Sequence, residues 1–229
     1  MKTIGLIGGT GWESTAEYYK LINEKTNAKL GGLNFAKCIL YSFNYAEINE
    51  LNKANRIDEF FEPLLVACNT IIEAGAGCIM LCANTMHMFA EKLTMQIPVP
   101  LIHIAEATAS DITRHGISKV GLLGTRYTME RDFYRNKLAA SDIETIIPSE
   151  SERDFVHNCI FEELLKSKFT EDSKSRLLEI IGNLKAGGAD GIILGCTEIP
   201  LLIKDDDVDM PLFNTTELHA QAAVDFAIG

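Results

Sequence analysis

Two short runs in this 229-residue chain end apolar stretches with a thiol beside small polar side chains: LCANTMH at 81–87 and GCTEIP at 195–200. In the second, Cys196 follows the strand-like run GIILG at the point where a helix is expected to begin. A helix N-terminus offers free backbone N–H groups and positive partial charge, which lower a thiol's pKa and also bind a carboxylate. Cys196 is therefore the residue best placed for reactive thiol chemistry, with Thr197 and Glu198 beside it. A free cysteine is also among the most buried residue types, so the competing reading is a small core hydrophobe; polar, small neighbours favour the reactive one. In the first run Cys82 precedes Ala83, Asn84 and Thr85, and His87 falls on the first turn of the helix expected next, where a capping or supporting role is as natural as catalysis. The similar triplet Cys68-Asn69-Thr70 lies inside an amphipathic helical pattern with Leu64, Leu65, Ile71 and Ile72, so it reads as core.

The elements that would carry these residues form two copies of one plan. KTIGLIGGTGWESTAEYYK reads as a buried strand over 3–7, a Gly-rich turn and a helix, and SKVGLLGTRYTMERDFYRNKL repeats it with a strand over 120–123. AGAGCIMLCANT matches GGADGIILGCTE, and PLIHIAEATA matches PLFNTTELHA, each PLxxxxE element reading as a further strand that leads into a helix. Gly8 thus recurs at Gly124, Ala83 at Cys196 and Pro100 at Pro211, at offsets that agree within a few residues. Helix-like segments lie between, which predicts an α/β fold of two pseudo-symmetric lobes, each a parallel sheet flanked by helices. The expected lobes are 1–105 plus 213–229, and 106–212, with a last helix over 217–228 returning to the first. Ligands of open parallel sheets bind beyond the carboxyl ends of the strands. The loops Gly8-Gly9-Thr10, Ala83-Asn84-Thr85, Gly124-Thr125 and Cys196-Thr197-Glu198 sit at such ends, so the active cleft is expected between the lobes.

Composition narrows the partners. A net charge of −11 opposes binding to nucleic acid or an anionic membrane, leaving a small molecule as the expected ligand. The six cysteines show no metal-ligand spacing, so no zinc or other metal is expected. With no signal-like segment before the first strand and no apolar span, a reduced, cytoplasmic protein is expected. GLIGGTG does not complete a dinucleotide fingerprint, because Ser14 stands where its last glycine belongs and no acidic residue ends AKCILYS.

GLIGGTGWESTAEYY near the start, ANTMH at 83–87, LLGTRYTME at 122–130 and GCTEIP at 195–200 together resemble the aspartate/glutamate/hydantoin racemase family over essentially the whole chain. The closest branch is that of aspartate racemases and broad-specificity amino-acid racemases, since Glu198 stands where glutamate racemases usually carry His. The resemblance implies an amino-acid racemase of the aspartate/glutamate type, independent of pyridoxal phosphate and of any other cofactor, which moves the α-proton by thiol chemistry with one residue from each lobe. It implies Cys196 and Cys82 as catalytic residues. Thr10, Asn52, Ala83, Asn84, Thr85, Thr125, Lys166, Thr197 and Glu198 are the substrate-binding set, in which the hydroxyls, amide and backbone N–H groups hold the carboxylate, Glu198 takes the ammonium and Asn52 lies on a closing loop. Relatives in this family often dimerise, so a homodimer is the assembly it allows.

Ala83 departs from the pattern, because the family position before Asn-Thr holds Cys or Thr. Without a gap, the repeat places Cys82 opposite Gly195 and Ala83 opposite Cys196. Successive strand residues face opposite sides, so Cys82 reaches substrate only if the strand end bulges or turns. Otherwise the alternatives are a one-sided catalyst, a related single-thiol reaction on a dicarboxylate, or a non-catalytic amino-acid or dicarboxylate binder. The stretch from Ser42 to Asn55 also lacks the arginine that aspartate-directed relatives tend to carry for the second carboxylate.

Overall fold

An unbroken apolar run suits a strand covered on both faces, and IGLIG forms one: strand β1 (Ile4–Gly8), every residue buried. It is followed by α1 (Trp12–Leu30), β2 (Cys38–Ser42), α2 (Tyr45–Lys53), α3 (Phe61–Glu73), β3 (Cys78–Leu81) and the short α4 (Ala90–Thr94). The computed structural model describes residues 1–229, and these elements belong to the first of its two units, 1–103 with 219–229. The strands are parallel in the order β2-β1-β3. Alternation along them makes two apolar layers. Ile4, Leu6, Cys78, Met80 and Cys82 pack with Tyr18, Leu21 and Ile22 of α1 and with Ala220, Ala223 and Val224 of the C-terminal helix. Ile7, Ile79 and Leu81 pack with Phe61, Leu64, Ala67 and Ile71 of α3. Each large side chain so buried contributes roughly 1.5–3 kcal/mol, so a one-residue slip, which would exchange the two layers, is strongly disfavoured. Gly9 turns the chain out of β1 at φ +89, and a Cβ there would collide with the Phe43 backbone, so glycine is required.

The expected strand at 100–103 is reduced to one bridge, between Leu101 and Ile79. The Ile79 N–H donates to the Pro100 carbonyl and the Ile102 N–H to the Ile79 carbonyl, both at 2.9 Å. The next rung would use the Ile102 carbonyl, which instead takes the Nε2–H of His219 at 2.7 Å. The chain then turns into a helix at Ile104.

The second unit, 104–218, holds α5 (Ile104–Arg114), β4 (Lys119–Gly124), α6 (Arg126–Glu130), α7 (Asp132–Ala139), β5 (Glu144–Ile146), α8 (Glu150–Glu162), α9 (Glu171–Ala186), β6 (Ile192–Gly195), α10 (Ile199–Leu202) and β7 (Leu212–Asn214). The last helix, α11 (Thr215–Ile228), starts here and continues in the first unit. Its four strands are parallel in the order β5-β4-β6-β7. The alternation of elements thus produces the α/β class it predicts, with a helix-flanked parallel sheet in each unit. β4 lies between β5 and β6 as β1 lies between β2 and β3, so the sequence repeat is also a repeat of topology. No helix is long and apolar enough to cross a membrane.

Candidate active site

The register of the central strands fixes which residues emerge at the strand ends. In the second unit Gly124 of β4 pairs with Gly195 of β6, and Cys196 is the next residue. In the first unit Ile7 of β1 pairs with Leu81 of β3, and the Cys82 N–H donates to the Ile7 carbonyl at 2.8 Å. One further step sets Cys82 beside Gly8, as Gly195 sits beside Gly124. Cys82 therefore matches Gly195, and Ala83 matches Cys196. A Cβ on Gly195 would lie 2.7 Å from the Leu123 carbonyl oxygen, so that step is closed to side chains in the second unit. In the first unit the same step points into the core. Cys82 is 0% exposed among Ile4, Leu6, Tyr18 and Met80, and burial pushes its thiol pKa up. The strand end neither bulges nor turns it out, which corrects the expectation of Cys82 as a proton carrier.

Cys196 is half-buried. Its Sγ donates to Oε2 of Glu198 at 2.9 Å, and the Thr197 hydroxyl donates to the same oxygen at 2.8 Å. Glu198 itself is buried. Burial and the adjacent carboxylate raise the Cys196 pKa well above the usual thiol value, so the sulfur holds its proton at rest. The expectation of a pKa lowered by a helix N-terminus is corrected. α10 has only four residues, and its aligned peptides are too few to outweigh a carboxylate in contact. The arrangement is a thiol paired with its own base. Glu198, expected to receive the substrate ammonium, already accepts two hydrogen bonds from its neighbours.

The remaining expected residues fall into three groups. Ala83, Asn84 and Thr85 form the turn that leaves β3, Asn84 buried and its neighbours partly so. Thr10 follows the Gly9 turn beyond the adjacent β1, and Thr125 follows β4 beside β6, where its Oγ1 caps α6 by accepting the Thr128 N–H at 3.4 Å. Thr10 Oγ1 and Asn52 Oδ1, the latter from α2, are buried without a hydrogen-bond partner, an arrangement that a polar ligand can satisfy. Lys166 stands apart. It ends a short 3₁₀ turn between α8 and α9, its side chain is 61% exposed, and its Nζ pairs with Glu162 at 2.6 Å. Cys68 is buried in α3, as its helical pattern predicts.

The sequence reading passed over Tyr18, His103 and His219, which the fold gathers around His87 in the first unit. The only signal was a histidine in each of the two matched segments, PLIHIAEATA and PLFNTTELHA.

A family model described as Asp/Glu/hydantoin racemase matches residues 7–223. The chain is similar to the crystal structure of a candidate Asp/Glu racemase from Yersinia pestis, with 45% identity, TM-score 0.94 and all of both chains covered. It is also similar to that of an aspartate racemase homologue from Pyrococcus horikoshii OT3, with 34% identity, TM-score 0.87 and the same full coverage. The broad-specificity amino-acid racemase RacX of Bacillus subtilis (strain 168) is 23% identical over 227 residues, which cover 96% of each chain.

Proposed function

The chain belongs to the Asp/Glu/hydantoin racemase family, and on that premise we propose that it is an amino-acid racemase of the aspartate/glutamate type in which the Cys196–Glu198 pair moves the α-proton without a cofactor. The observation that carries this reading is the 2.9 Å hydrogen bond from Sγ to a buried carboxylate. As substrate enters, Glu198 takes the Sγ proton and leaves a thiolate. The thiolate removes the α-proton, and the electron pair of the broken C–H bond delocalises onto the substrate carboxylate. Donors at the strand ends, the Asn84 amide and the hydroxyls of Thr85 and Thr125, hold that carboxylate and stabilise the charge that develops on it. Return of the proton from Cys196 regenerates the starting enantiomer; delivery to the other face of Cα inverts it.

At the position matching Cys196 the first unit carries Ala83, which has no proton to give. In this reading a solvent proton serves the second face, and that face is the slower one. The absence of arginine between Ser42 and Asn55 supports a substrate range that extends past dicarboxylates. The test is proton NMR in D₂O of L- and D-aspartate, L- and D-glutamate and a neutral amino-acid pair. The expected result is Cα deuteration of both enantiomers of at least one pair, at unequal rates, with interconversion. Deuteration confined to one enantiomer, or to none, overturns the racemase reading.

A further inference from the structure

Four buried side chains of the first unit that this chemistry does not use, Tyr18, His87, His103 and His219, meet beside the Ala83-Asn84-Thr85 turn. His103 is the last residue of the first unit before the chain leaves it, and His219 the first after it returns. The ring centroids of His87 and His103 lie 4.8 Å apart, those of His87 and His219 5.3 Å, and Tyr18 meets His219 edge-on at 5.5 Å. His87 is 1% exposed and His219 0%.

The hydrogen bonds fix two tautomers. A carbonyl only accepts, so the His219 nitrogen facing the Ile102 carbonyl at 2.7 Å, Nε2, carries the hydrogen. Nδ1 of His219 then accepts the Tyr18 hydroxyl at 2.9 Å. His87 Nδ1 lies 3.0 Å from the Ala83 carbonyl oxygen, and the Ile102 carbonyl that also faces this ring already takes the His219 Nε2–H, which assigns the His87 hydrogen to Nδ1. With these nitrogens engaged the cluster is not a metal-ligand set, and a His87 that is buried and donating to backbone is not an acid or base for substrate.

We propose that His87 is a positioning residue for the turn that follows β3. Its Nδ1–H clamps the Ala83 carbonyl, and its ring, packed against His103 and His219, fixes the direction in which Asn84 and Thr85 present their donors. The turn stands just past the last strand pairing, and there the clamp adds a side-chain anchor to the bond from the His87 N–H to the Asn84 carbonyl at 3.0 Å. What the turn presents its donors to rests on the racemase reading; the clamp itself rests on the geometry above.

Two substitutions separate donor from volume. His87→Leu fills the space without a donor, whereas His87→Asn keeps an N–H near the place of Nδ1. Near-attack geometry is sensitive to displacements of about 1 Å, which cost up to roughly 10²-fold. In the Leu variant kcat/KM for α-proton exchange should fall about 10- to 100-fold, mainly through KM, and the Asn variant should recover most of it. Wild-type kcat/KM in the Leu variant, or an Asn variant no better than a folded Leu variant, overturns the proposal. Histidine-selective ¹⁵N NMR of the wild-type protein at pH 7, with His87 identified by its loss in the Asn variant, reads the clamp without any turnover. An Nδ1–H tautomer for His87 supports it, and an Nε2–H tautomer overturns it even where the Leu variant fails to fold. Should the wild-type protein exchange no α-proton, the racemase reading fails alone, and the tautomer still decides the clamp.

Discussion

The Sγ of Cys196 donates to Oε2 of Glu198 across 2.9 Å, with the Thr197 hydroxyl on the same carboxylate oxygen at 2.8 Å. This pairing sets the resting state as thiol and carboxylate rather than as a free thiolate. The nearby charge and hydrogen bond act in the same direction as burial, all of them raising the thiol pKa. A nucleophile held in this way becomes basic only when its partner takes the proton, which ties reactivity to the carboxylate next to it.

Replacing Glu198 by Gln therefore has two opposite effects. It removes the charge that raises the Cys196 pKa, so iodoacetamide should alkylate Cys196 faster in Glu198→Gln than in the wild-type protein at the same pH. It also removes the base that takes the Sγ proton, so α-proton exchange should fall about 10²- to 10⁴-fold. Mass spectrometry of the alkylated peptide and deuterium NMR of the substrate read the two arms. Parallel changes in both would show that Glu198 does not act as the base of this thiol.

Cys82 and Cys196 should respond to the same substitution in different currencies. Cys82→Ser buries a hydroxyl among Ile4, Leu6 and Met80, which costs about 1–3 kcal/mol where it finds no partner. Its kcat per folded molecule should be close to wild type. Cys196→Ser should leave the melting temperature nearly unchanged and lower exchange about 10³-fold, within the range for loss of an acid–base group. Thermal unfolding alongside the exchange assay checks both. A folded Cys82→Ser protein with exchange reduced as far as in Cys196→Ser would return Cys82 to the chemistry.

The contrast between these cysteines was legible in the sequence because the repeat carries register. Aligning AGAGCIMLCANT with GGADGIILGCTE sets Cys82 against Gly195, and the strand pairings reproduce that alignment residue by residue. The protonation state of Cys196 was not legible. It depends on α10 stopping after four residues and on the Glu198 side chain folding back onto Sγ, both matters of local geometry rather than spacing. The histidine cluster was hidden for a different reason. Its hydrogen bonds join Tyr18 to His219 and His219 to Ile102, partners 201 and 117 residues apart. No periodicity within a helix or strand reports a contact of that range. The same contact explains the missing strand at 100–103, since a side chain captures the carbonyl that the next rung needed.

Ala83 offers a gain-of-function test. It occupies the step that matches Cys196, partly exposed at the start of the turn where it packs against the edge of the core, and a cysteine there adds one sulfur. Ala83→Cys should raise the slower of the two enantiomer exchange rates by about tenfold or more and bring their ratio toward one. The faster rate, carried by Cys196, should change little. Deuterium uptake by L- and D-substrate measured side by side is the readout, and a ratio that stays put would remove Ala83 from the site.

Thr10 presents the reverse trade between stability and binding. Its Oγ1 is buried with no hydrogen-bond partner, a state that carries a desolvation cost in the folded protein. Thr10→Val keeps the shape and replaces that hydroxyl by a methyl group. The variant should be as stable as wild type or more stable by up to about 1 kcal/mol, with KM raised roughly tenfold as one hydrogen bond to substrate is lost. Urea unfolding and initial rates measure the two effects. A destabilised variant with unchanged KM would mean that the hydroxyl serves the fold instead.

The buried histidines should also dominate the acid limb of stability. Burial lowers the His87 pKa from an ordinary value near 6.5 to about 4, and burial together with the neighbouring His87 lowers that of His219 to about 3. Because the folded pKa values lie below the unfolded ones, the unfolded chain binds protons that the folded chain refuses. The contribution is fully present above about pH 6.5 and is lost as pH falls toward 4. Within that window two such groups give a slope near 2.7 kcal/mol per pH unit, about 1.36 for each proton. Lys185 holds the Asp209 carboxylate below its usual range, outside this window, whereas His157, partly buried beside Arg126 and also lowered, adds to the slope. Urea unfolding between pH 7.5 and 4.5 should show proton uptake on unfolding that is larger by about one proton per molecule in the wild-type protein than in His87→Asn, which retains His219 but not His87. Equal slopes in the two proteins would mean that His87 is not held neutral by the fold.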